Sequence, residues 1–161
     1  LTIQLKEVIF LGRIERTIEI KASPEKVWEM LALDRQLEWM GNVSSGGGWK
    51  SVEYTSEVST PEDKYRVGAS AQITEKHGKP YNYEITESFE NEKIMFRTPY
   101  YNMCIQYTLK LTEEGTEMTF VFNYELPYSI LGKIIDELLV HRQGEKEMKK
   151  SLKKLKSILE K

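Results

Sequence analysis

The sequence predicts an α+β fold in which a curved antiparallel sheet of about seven strands wraps around one long C-terminal helix, with two short helices after the first strand. Three observations predict it. From Ser129 to Lys161 apolar residues recur at helical spacing, and Leu131, Ile134, Leu138, Met148, Leu152, Leu155 and Leu159 gather on one side. From Trp49 to Leu126 the period is two almost throughout, with breaks at glycine or proline. Between the first alternating stretch and the meander, Ser23-Pro24-Glu25 supplies an N-cap, a first-turn proline and a carboxylate at the positive helix end.

Taken in order, residues 1–15 are mixed apolar and charged, an extension or an extra strand. Regular alternation starts at Arg16, with Ile18, Ile20 and Ala22 on one side and Thr17, Glu19 and Lys21 on the other. The helix capped by Ser23 carries Val27, Trp28 and Leu31 inward, and Asp34 is placed to cap a second short helix through Leu37, Trp39 and Met40. Gly41 to Gly48 is loop. Strands follow at Trp49 to Val58, Gly68 to Lys76, Tyr81 to Phe89, Lys93 to Thr98, Tyr101 to Thr112 and Thr116 to Leu126, with hairpin turns at residues 77–80 and 113–115 and a longer loop at Pro61. One face collects Tyr81, Tyr83, Ile85, Met103, Ile105, Tyr107, Leu109, Met118, Phe120, Phe122 and Tyr124, whereas Thr, Asn, Glu and Lys dominate the other, as in a sheet with one wet face. The long helix is the element whose stripe is large enough to cover the aromatic face.

The composition narrows the function. A chain of 161 residues suits one domain with one core. With 40% hydrophobic and 30% charged residues and a net charge of -2, it gives no reason to expect nucleic acid as partner. A single cysteine, Cys104, excludes an internal disulfide and, with no secretory signal pattern in the first residues and no apolar run of bilayer length, points to the cytoplasm. His77 and His141 lack neighbouring ligands at metal-binding spacing, and phosphate-loop, dinucleotide and nucleophile-elbow motifs do not occur, so no metal or cofactor is expected.

The phrase Ile18-Glu19-Ile20-Lys21-Ala22-Ser23-Pro24-Glu25-Lys26-Val27-Trp28, the Asp34 to Trp39 stretch, Gly68 before a strand, the strand end at Tyr124, the Leu131-Gly132 step and the closing Leu-Lys pattern from Leu152 to Glu160 together resemble the START-like superfamily. That superfamily includes polyketide cyclases, lipid-transfer domains and the birch pollen allergen. The resemblance spans residues 16–161 and implies the helix-grip fold, a cup whose sheet and last helix enclose a hydrophobic ligand. It also implies three kinds of function: carriage of a lipid, quinone or polyketide-like molecule, polyketide cyclase or dehydratase chemistry, and co-chaperone-like surface interaction. Residues 46–48 precede a strand instead of joining two, so no phosphate-binding role is carried over to these glycines.

His141 and Glu145 interrupt the apolar stripe of the last helix on one face. Polar groups in an apolar wall cost several kcal/mol unless partnered, which makes the two candidates for orienting a ligand or for acid–base work, or else partners of each other. Tyr81, Tyr83, Tyr107 and Tyr124 are inward-facing phenols able to offer a fixed donor to a ligand, with Met103, Phe120, Phe122 and Leu138 as apolar wall. Either His141 or one of these tyrosines would be the acid or base of a cyclase. Lys149, Lys150, Lys153, Lys154 and Lys156 form the wet side of the helix, with transient contact to anionic headgroups as the alternative. The pattern leaves oligomeric state open.

Overall fold

The computed structural model describes residues 9–41, 47–127 and 137–161. Among these, seven strands form one antiparallel sheet: β1 (Ile9–Ile20), β2 (Trp49–Tyr54), β3 (Ser70–Glu75), β4 (Tyr81–Phe89), β5 (Lys93–Thr98), β6 (Met103–Leu111) and β7 (Thr116–Pro127). Their spatial order is β1-β7-β6-β5-β4-β3-β2, so the first strand returns to pair with the last while the others follow as a meander. Register shifts in β2 between Trp49 and Ser51, and in β4 between Ile85 and Glu87, mark bulges that bend the sheet. Helices α1 (Pro24–Glu29) and α2 (Leu33–Gln36) follow β1, and α3 (Glu137–Leu159) closes the chain. This is the α+β architecture expected from the alternation and the C-terminal stripe.

Local chemistry explains each element. The Ser23 hydroxyl accepts from the Lys26 N–H, with Pro24 in the first turn of α1. Gly78 and Gly115 adopt positive φ in their hairpins, and at Gly115 (φ +152°) a Cβ would lie 2.3 Å from the Ile20 carbonyl oxygen. The inward stripe of α3, Met148, Leu152 and Leu155, is fully buried in the same core as Trp39, Tyr107 and Phe120.

Several boundaries differ from the sequence reading. α2 starts at Leu33 behind Ala32, which makes no side-chain cap, and Asp34 does not cap it: its carboxylate accepts from the Tyr54 hydroxyl at 2.8 Å and from Lys64 Nζ at 2.6 Å. A phenol and an ammonium within reach outcompete a cap on a four-residue helix. β2 ends at Tyr54 instead of Val58, because Thr55 and Ser56 turn to bond the Ser70 carbonyl, and Pro61 opens a short 3-10 turn closed by a Thr60–Asp63 capping box. β1 begins at Ile9, well before the alternation at Arg16. The pattern is hidden at Gly12, which faces Tyr124 across the sheet and lies under its ring. The outer face is not wholly wet, since Cys104 and Val121 are buried there among long polar neighbours in register. Within the predicted helix from Ser129, Leu131 and Ile134 lie outside the described residues, as does the side chain of Leu138.

Candidate functional site

Antiparallel register brings the starts of β1, β2, β4 and β6 and the ends of β3, β5 and β7 to one end of the sheet. α1 and α2 occupy the other end, and there α3 is tied down. Glu160 accepts from the Lys21 N–H at 2.8 Å, and Lys156 donates to the Glu19 carbonyl at 2.6 Å. The first described turns of α3 therefore point toward the end where β7 finishes.

The α1–α2 end is packed. Trp39 meets Tyr107 (5.7 Å between ring centroids) and Phe120 (6.4 Å) edge-on, and its indole N–H donates to the Met30 carbonyl. The Tyr107 hydroxyl donates to Gln36 Oε1 at 2.8 Å, and Gln36 Nε2 donates to the Leu31 carbonyl at 2.8 Å, with both residues fully buried. Burial drives the Tyr107 phenol well above its ordinary pKa. Tyr107 and Phe120, two of the predicted ligand-contacting residues, thus sit beneath Trp39.

The opposite end carries the other predicted wall residues. Tyr81, Tyr83, Met103, Phe122 and Tyr124 face inward and are buried. Tyr81 meets Tyr83 edge-on at 5.6 Å and stacks on Tyr100 at 4.9 Å, Trp49 leans on Tyr83, and Phe122 lies 5.5 Å from Tyr124. Burial first, then the charge of Glu75, pushes the Tyr83 phenol far up, and burial also raises Tyr124. On α3, His141 Nε2 is 3.3 Å from Glu145 Oε1, with their side chains 35% and 40% exposed. Between them Gly144 is buried, so the helix presents backbone to the core at that level.

Sequence reasoning missed two polar residues. Glu75, at an inward position in phase with Ala71 and Ile73, is 5% exposed and accepts from the Tyr81 hydroxyl at 2.6 Å. Its phase along β3 was the available signal. Gln36 carried none, because a single polar residue in a short helix reads as solvated. Other chemistry is sparse: burial holds the Cys104 thiol above its usual pKa, and among the described residues no cluster of His, Cys, Asp and Glu is arranged for a metal. A shallow outer-face concavity of about 270 Å³ is lined by Leu11, Gly12, Arg13, Arg97, Asn102, Cys104, Asn123, Tyr124 and Glu125.

An antiparallel sheet with two short helices after its first strand and a long C-terminal helix is a fold shared with known proteins. The model of the polyketide cyclase/dehydrase and lipid transport family matches residues 12–160. The chain belongs to that family. Solved structures of similar fold include a protein from Bacillus halodurans (TM-score 0.67, 16% identity, 92% of this chain and 96% of that one) and one from Mesorhizobium loti (0.65, 16%, 92% and 97%). The Aha1 dimer from Colwellia psychrerythraea is also similar (0.62, 18%, 92% and 96%). At these identities the likeness is one of fold. No curated protein matches the sequence. No described helix is long and apolar enough to cross a membrane.

Proposed function

We propose that this member of the family binds and carries a small hydrophobic molecule, of lipid, quinone or polyketide-like character, between the inner face of the sheet and α3. The observation that carries the reading is the contrast between the two ends of the inner face. One is filled by Trp39 and cross-linked through Gln36. The other gathers Tyr81, Tyr83, Trp49, Met103, Phe122 and Tyr124, an apolar wall with phenols at fixed places. His141 and Glu145 stand on the helix side of that end, where partial exposure keeps them hydrated at the rim while a ligand passes. The membership in a lipid transport and cyclase family supports the same reading.

The test is native mass spectrometry of the freshly purified protein, followed by thermal melts with a panel of lipids, quinones and aromatic polyketides. A co-purified small molecule, or a rise in melting temperature with at least one class, is expected. Recovery of bare protein together with no stabilisation by any class would overturn the reading.

A further inference from the structure

The two edges of the sheet are finished differently. β2 is six residues long and its register shifts between Trp49 and Ser51, a short bulged edge of the kind that resists pairing with another chain. β1 has twelve residues, no proline and an unbroken register with β7 from Ile9 to Ile20. Successive residues of a strand turn their backbone groups to alternate sides. Lys156 donates to the Glu19 carbonyl and the Lys21 N–H donates to Glu160, so the odd-numbered residues of β1 face away from β7, and the last turn of α3 covers the edge at positions 19 and 21. Among the described residues, nothing hydrogen-bonds to the outward backbone groups of Leu11, Arg13, Glu15 and Thr17. Leu11 is 71% exposed, and Arg13 and Glu15 meet only each other, at 3.1 Å on the wet surface, where such a pair is readily exchanged.

We propose that this free edge of β1 pairs with the same strand of a second copy of the chain, antiparallel about a two-fold axis at Ile14, and joins the two sheets into one. Outward-facing residues exchange the hydrogen bonds, which limits the register to odd positions opposite odd ones. Centring on Ile14 sets Leu11 opposite Thr17 and Arg13 opposite Glu15, each twice, in a ladder of about eight backbone hydrogen bonds. Sliding one step either way sets Arg13 opposite Arg13 or Glu15 opposite Glu15, and directly opposed like charges repel, so charge selects the register. On the inner side Arg16 falls opposite Gly12, the one position of the strand with no side chain to obstruct it. The pattern is complementary to itself, as a two-fold interface requires, and this favours a second copy over an unrelated strand as the occupant.

The experiment is sedimentation velocity of the full chain with two charge variants, Arg13→Glu and Glu15→Arg. The wild type is expected to pass from monomer to dimer between about 1 and 100 µM, and either variant alone to dimerise at least about tenfold more weakly, since both opposed pairs become like-charged. Mixing the two variants is expected to restore a dimer of one of each. The pair within each strand stays broken in both variants, so that rescue can come only from contacts across the interface. Amide exchange at Leu11, Arg13, Glu15 and Thr17 in the wild type should slow as concentration rises. A wild type that stays monomeric over the whole range overturns the proposal. So does a dimer that ignores both substitutions, or a mixture that forms no more dimer than its components.

Discussion

At the scale of single residues, the packed end of the inner face depends on Gln36. Its amide satisfies two buried partners at once, the Tyr107 hydroxyl on β6 and the Leu31 carbonyl before α2. Gln36→Leu strands both, at about 1–3 kcal/mol each, and Tyr107→Phe strands the amide oxygen at a similar cost. The double variant removes donor and acceptor together. Urea denaturation should show it more stable than the sum of the single losses by about 1 kcal/mol or more; strict additivity would mean the bond contributes nothing. The contrast in legibility belongs to this scale too. Alternation predicts that Tyr81, Tyr83, Tyr107 and Tyr124 turn inward, and each is buried, because a period of two leaves a strand residue one choice of face. It does not reveal that Tyr107 meets Gln36 or that Tyr81 meets Glu75, since those partners lie on other elements and their approach is set by packing. His141 and Glu145 stand where the helical period places two residues four apart, side by side.

At the scale of elements, β1 shows how a strand becomes invisible to pattern. Its inward positions include Gly12, where a side chain would be expected, and the ring of Tyr124 from β7 occupies that space instead. A Cβ on Gly12 would come 2.1 Å from the ring, so Gly12→Ala must swing Tyr124 away from its place beside Phe122. The expected outcome is a loss of about 1–3 kcal/mol, the usual cost of overpacking, together with weaker binding of the neutral fluorescent probe phenylnaphthylamine. Unchanged melting and unchanged probe affinity would show that Tyr124 is free to move without consequence. The second helix was misread for a related reason. A short polar segment offers Asp34 as a cap, while Tyr54 and Lys64 arrive from distant parts of the chain. Burial acts to raise the Asp34 carboxyl, but the hydrogen bonds from Lys64 and Tyr54 and the Lys64 charge outweigh it and hold the group below its ordinary value. The long meander and the Met148 to Leu159 part of the C-terminal stripe are legible because their periodicity is sustained over many residues, which no single substitution hides.

At the scale of the whole molecule, the phenols make stability depend on alkaline pH. Burial, chiefly, raises Tyr83 and Tyr107 far above the ordinary value of 10.0, and Tyr65 is pushed up to about 12 by burial and then by the charges of Asp34 and Glu29. In Tyr54, burial and the hydrogen bond to Asp34 act in the same direction. A raised acid pKa in the folded state means that the unfolded chain gives up its protons first. Below pH ~10 both states hold the phenolic protons and stability does not change on their account. Above it the unfolded chain ionises while the folded one stays protonated, so stability falls as pH rises. Tyr83 and Tyr107, both fully buried, should each contribute a slope of about 1.4 kcal/mol per pH unit in that range. Urea midpoints measured from neutral pH upward, with tyrosinate absorbance followed on the same samples, should therefore hold level and then drop, with these two phenols ionising only as the chain unfolds. Tyr107→Phe should flatten the drop by about one such slope while leaving the Tyr83 part in place. Ionisation of all nine tyrosines in the still-folded protein would contradict the dry inner face on which both the packed end and the aromatic wall depend.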